Sequence, residues 1–226
     1  AGAVLTLIAA YLFTTLGMKD AALFQTVDAV MRYFDGTLDG GADAAMNKII
    51  LLLRLPRVLL AIIAGAGLAL AGALMQSVTR NYLVSPFTLG ISSAAALGAS
   101  LCIVLAAGTA LDSDLGIITS AFLLSCACGL IVYGIAQRSG LSPTTIVLVG
   151  IALNYFFSAL TATLEFFAQE HKLAAVIQWT FGSLHRASWE YVAIGGIIVT
   201  LGLAAALFYA LPLNVMAVSD DETARS

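Results

Sequence analysis

One uninterrupted apolar stretch constrains the fold of this chain more than any other feature of its sequence. After Arg57 the sequence carries no charge from Val58 through Thr79, and the next charged residue is Arg80. A hydrocarbon core about 30 Å thick requires roughly 20 helical residues, so this stretch has the length of a membrane-spanning helix with a cation at each end. We therefore predict a transmembrane helix over 58–79.

Small residues recur within this predicted helix at intervals of three and four. Gly65, Ala69 and Gly72 consequently lie on one face. In lipid, small side chains allow the backbone of a second helix to approach closely, which favours association of the two helices. The spacing predicts a helix-packing face at these three residues.

The composition is that of a chain with many such helices. The sequence is 61% hydrophobic and 10% charged, whereas soluble domains carry about 25% charged residues. Every backbone polar group must be paired within lipid, so we predict an all-α polytopic membrane protein. Charged residues divide residues 1–226, taken as a single transmembrane domain, into six predicted spans at 1–16, 58–79, 87–108, 115–137, 143–165 and 191–211. The third is expected to begin at Phe87 because Pro86 suits the first turn of a helix.

Several classes of function are disfavoured by the residues that the chain has. The net charge of −3 provides no basic surface for nucleic acid. The three lysines are not part of a phosphate-binding GxxxxGK[ST] loop, so any ATP-driven work requires a partner chain. The two histidines and three cysteines form no cluster suited to a metal, and we expect no cofactor. The predicted spans contain no paired carboxylates or Ser–His set, so we do not expect an enzyme.

The fifth predicted span carries a polar stripe. Spacings of three and four place one set of residues on the same helix face: Thr144, Val147, Ile151, Asn154, Ser158, Thr161 and Glu165. An amide near the middle of a membrane is costly unless it faces water or a polar partner. The stripe therefore lines a cavity or a helix interface, or its hydroxyls bond to carbonyls of their own helix. The residues alone leave these alternatives open.

Several sequence blocks, in order, resemble the FecCD-type permeases of binding-protein-dependent ABC importers, which carry ferric siderophores, haem or cobalamin. The likeness is carried by RLPR at 54–57, GAGLALAGALMQ at 65–76, VLVGIALN at 147–154, QWTFGSL at 178–184 and DETARS at 221–226. The chain departs from the family pattern at Tyr82, Ser85 and Asp220. The resemblance spans nearly the whole chain and predicts a permease subunit for a metal chelate.

The resemblance also implies an assembly and a location. Family members have ten helices per subunit, so this chain corresponds to the first six, and we expect both of its ends to be incomplete. The expected partners are a second permease subunit (identical or different), an ABC ATPase and an extracytoplasmic substrate-binding protein. The expected location is the bacterial cytoplasmic (inner) membrane.

Two charged groups acquire roles through the resemblance. Arg54 and Arg57 match the residues that receive carboxylates of the binding protein, a task suited to planar guanidinium groups. Their alternative role is that of interfacial cations at the end of a span. The last charged cluster matches the start of the ATPase contact, or is simply a solvated loop; it comprises Asp221, Glu222 and Arg225.

The fifth span acquires roles in the same way. By resemblance, this helix lines the central pathway, with Asn154, Ser158 and Thr161 facing the substrate. Pro143 and Thr144 match the cytoplasmic gate. A polar but uncharged lining suits a bulky chelate that must pass without being held tightly.

The sequence leaves an alternative open for the orientation of the chain in the membrane and for its function. The family-like orientation places the two long connections outside, yet they hold most of the cations, which the positive-inside rule would place in the cytoplasm. A secondary transporter, or a non-transporting membrane assembly subunit, is the alternative function. A secondary transporter normally needs ionisable coupling residues within the membrane, and Glu165, at a span end, is the nearest candidate.

Overall fold

The computed structural model describes residues 44–106, 109, 113–140 and 142–211, together with residues 2, 6, 9, 10 and 31. In these residues the regular structure is entirely helical, which confirms the all-α prediction. The elements are α1 (Ala44–Ile49), a π-helical turn (Ile50–Arg54), α2 (Leu55–Thr79), a 3-10 turn (Pro86–Leu89), α3 (Ile91–Leu105), α4 (Asp114–Arg138), α5 (Pro143–Phe167), α6 (Glu170–Phe181) and α7 (Trp189–Phe208).

Four helical segments of the described chain are long and apolar enough to cross a membrane, as expected for a polytopic protein. They are Asn47–Thr79, Asp114–Arg138, Pro143–Phe167 and Trp189–Phe208. The helix α3 is apolar but shorter. The predicted span at 1–16 lies almost wholly outside the described residues, of which Gly2, Thr6, Ala9 and Ala10 are helical there.

The helix of the second span continues through Pro56 instead of beginning after Arg57. A π-helical turn precedes α2, and in it the Leu55 N–H donates to the carbonyl of Ile50, five residues back. In the same register Pro56 would donate to Leu51, but proline has no N–H. The indole Nε1 of Trp189 donates to the Leu51 carbonyl instead, at 3.0 Å. A distant tryptophan thus pairs the carbonyl that proline leaves open.

We expected the third span to begin at Phe87, but its α-helix begins at Ile91. Pro86 does begin a helical turn, but that turn is a 3-10 turn of four residues whose end is set by Gly90 at φ +75°. Thr88 closes the turn, because its Oγ1 donates to the Ser85 carbonyl at 2.7 Å and accepts from the Ser85 N–H at 3.2 Å. The helix α3 then runs only from Ile91 to Leu105.

Contacts divide the chain into two units, residues 1–67 with 184–205 and residues 68–183 with 206–226. The core of the second unit lies among the 3-10 turn, α3, α4 and α5. Its buried residues are Leu89, Ala94, Leu97, Cys128, Val132, Ala136, Ile146 and Phe157. Burial of these side chains fixes which face of α5 is left for other contacts.

Backbone-to-backbone approach at glycine holds this core together. A Cβ at Gly150 of α5 would lie 2.7 Å from the Leu89 Cα, and a Cβ at Gly90 would lie 2.9 Å from the Asn154 nitrogen. Between α3 and α4, a Cβ at Gly98 would lie 2.5 Å from the Ser120 carbonyl oxygen, and the Ser120 hydroxyl donates to the Gly98 carbonyl at 2.7 Å. Each contact leaves no room for a side chain.

The connection after α5 contains a helix that the sequence interpretation did not include. The helix α6 begins after Gln169 and ends at Gly182, whose φ is +75°. Lys172 joins it to α3, because its Nζ donates to the Val104 carbonyl at 2.7 Å. Val104 lies in the last turn of α3, where carbonyls lack helical partners, so the ammonium group pairs one that would otherwise be open.

The predicted packing face on α2 has no described partner. No described atom lies within 4 Å of a Cβ placed at Gly65 or Gly72, and Ala69 is exposed. A close contact instead occurs at Gly67, where a Cβ would lie 3.1 Å from Cγ2 of Val199. Helix packing through Gly65, Ala69 and Gly72 stays a prediction.

The contact between α3 and α4 yields a prediction about stability. Gly98→Ala places a methyl group against the Ser120 carbonyl, so α3 and α4 must move apart. We therefore expect the free energy of unfolding to fall by about 1–3 kcal/mol. Gly134→Ala in α4 is the matched control, because its Cβ would meet nothing within 4 Å, and the better helix former should leave stability unchanged or raise it. Thermal unfolding of the full-length protein in detergent measures both. Equal melting temperatures for the two variants would contradict the contact.

Candidate functional site

A polar opening lies along the second half of α5. It is a cleft of about 510 Å³, here called the Glu165 cleft. The walls come from α5, from the 3-10 turn and first half of α3, and from the end of α6; they are Ser158, Thr161, Ala162, Glu165, Phe87, Ser92, Ser93, Ala95, Ala96, Trp179 and Thr180. Its volume falls within the range of small-molecule sites, roughly 300–1,000 Å³.

Most hydroxyl groups that line this cleft donate a hydrogen bond to a backbone carbonyl of a helix or turn. Ser93 donates to the Gly90 carbonyl at 2.9 Å, Thr161 to Phe157 at 3.0 Å and Thr180 to Val176 at 2.9 Å. A hydroxyl has one hydrogen and two acceptor lone pairs. These three groups therefore present oxygen acceptors, rather than donors, for any further contact.

A smaller opening lies at the other end of α5. It is a cleft of about 190 Å³, here called the Pro143 cleft, and it is lined by Thr79, Asn81, Pro143, Thr144, Val147 and Leu148. The loop after α2 is shaped by Asn81, whose Oδ1 accepts from the Leu83 N–H at 2.9 Å. Both predicted gate residues thus lie beside the turn that ends α2.

The polar stripe predicted on α5 has residues in both of these openings. Thr144 and Val147 line the Pro143 cleft, and Ser158, Thr161 and Glu165 line the Glu165 cleft. A helix of 25 residues rises roughly 37 Å, enough to cross a bilayer core. The two openings consequently lie near opposite ends of one membrane-spanning helix.

Asn154 lies on this stripe between the openings and lines neither of them. It is half-buried, and its backbone is in close contact with Gly90. Of the three predicted pathway residues, the structure therefore brings Ser158 and Thr161 into the larger cleft and leaves Asn154 against the 3-10 turn.

The predicted docking arginines lie in the first unit, one turn apart, and both are half-buried. Arg57 Nη2 donates to the His185 carbonyl at 3.3 Å, which uses one of the five N–H donors of a guanidinium. Its Nε is buried and has no hydrogen-bond partner among the described residues. Arg57 therefore has donors left for a further acceptor.

The remaining predicted sites have different outcomes. Asp221, Glu222 and Arg225 lie outside the described residues. Within the described ranges, no group of three or more His, Cys, Asp or Glu residues could hold a metal ion. The sequence interpretation missed Phe87, Ser92, Ser93 and Thr180 as cleft residues, and it assigned Trp179 to the membrane interface. The helix α6 could have been predicted from apolar residues spaced three and four apart, such as Leu173, Val176 and Ile177.

Curated relatives resemble this chain over most of its length. It is 34% identical over 184 residues to the Fe(3+)-citrate import system permease protein YfmD of Bacillus subtilis, covering 81% of this chain and 53% of the relative. It is 34% identical over 182 residues to the hemin transport system permease protein HmuU of Yersinia pestis, covering 79% and 54%. The chain thus spans about half the length of these relatives.

A solved structure and a family model extend the comparison. An ABC transporter described as metal-chelate type, in an inward-facing conformation, matches 99% of this chain and 65% of its own with a TM-score of 0.78 at 28% identity. The model of the FecCD transport family matches residues 3–226. This match covers the polar stripe, both clefts and both arginines, and the chain accordingly belongs to the FecCD transport family.

Proposed function

We propose that this chain forms part of the permease subunit of an ABC importer that moves a metal chelate across the bacterial cytoplasmic membrane. One observation supports the proposal: the polar stripe of α5 has residues in two openings that lie near opposite ends of a membrane-spanning helix. A helix with a lined opening at each end suits a substrate that enters on one side and leaves on the other.

The substrate class follows from relatives whose names specify ferric citrate, hydroxamate and hemin systems. The cleft is compatible with this class, because a chelate encloses its metal in organic ligands and needs hydroxyl and aromatic contacts rather than metal ligands. Ser158 and Thr161 supply hydroxyls and Trp179 supplies an aromatic ring. Such contacts hold a bulky solute loosely enough for release.

The expected partners perform ATP hydrolysis, deliver the substrate and complete the pathway. A separate ATPase hydrolyses ATP and contacts the segment with Asp221, Glu222 and Arg225. A substrate-binding protein delivers the chelate and docks its carboxylates on Arg54 and Arg57. A second permease subunit completes the pathway. Pro143 and Thr144 act as the gate, since they line the opening remote from the Glu165 cleft.

The proposal is tested by transport in proteoliposomes. The full-length permease, its ATPase and its binding protein are reconstituted, and uptake of an iron(III) chelate is followed with radioactive iron. We expect uptake that requires ATP and stops when the lysine of the ATPase phosphate-binding loop is replaced, because this chain has no such loop. Uptake driven by an ion gradient without the ATPase would instead support a secondary transporter.

Cysteine labelling tests the pathway along α5. In a full-length protein without native cysteines, Ser158→Cys should react with a membrane-impermeant maleimide, because a water-filled cleft allows the thiolate to form. Asn154→Cys should react more slowly, since Asn154 is half-buried. Leu130→Cys is the control: Leu130 is 70% exposed on the apolar helix α4 and should face lipid. Protection of the introduced thiol in both of the α5 variants would exclude a pathway along this stripe.

Charge reversal tests docking at the arginines. Arg54→Glu with Arg57→Glu should weaken binding of the substrate-binding protein by roughly tenfold or more, with a smaller loss at high salt, because carboxylates would meet carboxylates. Arg138→Glu, at the exposed end of α4, is the control and should leave affinity unchanged. Surface plasmon resonance on the reconstituted transporter measures both. Unaltered affinity after the double reversal would refute the docking role.

A further inference from the structure

Among the described residues that line the Glu165 cleft, one has an ionisable side chain. That side chain is Glu165 itself, half-buried at the end of α5. The described part of the wall includes no lysine, arginine or histidine. The nearby helix α6 has a cation at Lys172, but its Nζ donates to the Val104 carbonyl at 2.7 Å and it is not a wall residue. The charge of the lining is therefore negative.

The neutral groups of the lining reinforce this charge. Ser93, Thr161 and Thr180 give their hydrogens to helix carbonyls and so present oxygen acceptors. Trp179 adds an indole ring, a group whose face attracts cations. The carboxylate, the three committed hydroxyls and the indole face favour a positively charged or hydrogen-bond-donating solute over an anion. Ser92, Ser158 and the indole N–H can also donate, so the selection by charge depends on the carboxylate.

We infer that the Glu165 cleft selects its chelate by charge, accepting a cationic or neutral metal chelate and discriminating against an anionic one, with Glu165 as the specificity-determining residue. This inference rests on the proposed transport of metal chelates and narrows that class to its cationic and neutral members, so it disfavours an anionic chelate such as ferric citrate, which the name of one relative specifies. Charges interact more strongly at a half-buried group such as Glu165 than in bulk water, so one carboxylate is sufficient for discrimination.

The test uses one iron(III) core with three pendant charges. A linear iron(III) trihydroxamate with a terminal amine is used as the free amine (cation), the acetylated form (neutral) and the succinylated form (anion). Equilibrium binding is measured to the full-length permease, assembled with its second subunit and ATPase in nanodiscs. The binding protein is omitted, so that its own selectivity does not enter. A parallel transport assay adds the binding protein and ATP.

The wild-type complex should bind the cation at least about tenfold more tightly than the anion, with the neutral form between them. Glu165→Gln keeps the shape and removes the charge, and it should bring the three affinities to within about twofold. Glu165→Asp keeps the charge and should preserve the order. Glu170→Gln is the matched control, because Glu170 is exposed at the start of α6 and does not line the cleft; it should change nothing.

The outcomes separate this inference from the proposed function. An affinity ratio that is the same in wild type and Glu165→Gln, a preference for the anion, or binding of none of the three chelates overturns charge selection. Binding with the predicted order but no ATP-driven transport overturns the proposed function and leaves charge selection intact. Equal melting temperatures of wild type and Glu165→Gln exclude a structural origin for a changed ratio.

Discussion

The close approach of the 3-10 turn to α5 is the contact on which the rest of the described site depends. Gly90 and Gly150 have no side chains at the point of contact, and a methyl group at either would overlap backbone atoms of the other segment. In a bilayer, apolar burial adds little to helix association, so dispersion contacts and hydrogen bonds between closely approaching helices carry more of the stability. The turn fixes one face of α5, and that choice determines which side chains are left to line the clefts.

The division of α5 into two faces explains how a mostly apolar helix can carry a polar route. Ile146, Gly150 and Phe157 are buried in the core that α5 forms with the 3-10 turn, α3 and α4. The hydroxyl and carboxyl groups lie on the neighbouring face. Thr161, at the boundary between the two faces, is buried and bonds to its own helix. A hydroxyl whose hydrogen is paired in this way keeps its oxygen available to a solute, which lowers the cost of placing it in a membrane.

The parts of this site that depend on helical periodicity were predictable from the sequence, and the parts that depend on distant contacts were not. The stripe from Thr144 to Glu165 follows from spacings of three and four. Five of its seven residues line one of the two clefts, whereas Ile151 and Asn154 line neither. Trp179 could not be assigned to the cleft because α6 lies in a segment whose polar residues suggested a connection. The pairing of Trp189 with Leu51 was also inaccessible, since it requires both the π-helical turn and the meeting of two segments remote in sequence.

We propose that the substrate passes along the polar face of α5. A cryo-electron microscopy structure of the complete transporter, trapped with an iron chelate inside the membrane, tests this proposal. We expect chelate density in contact with Ser158, Thr161 and Glu165 in the Glu165 cleft. Chelate density enclosed within the membrane by other helices, with the polar face of α5 packed against protein or lipid, would contradict it.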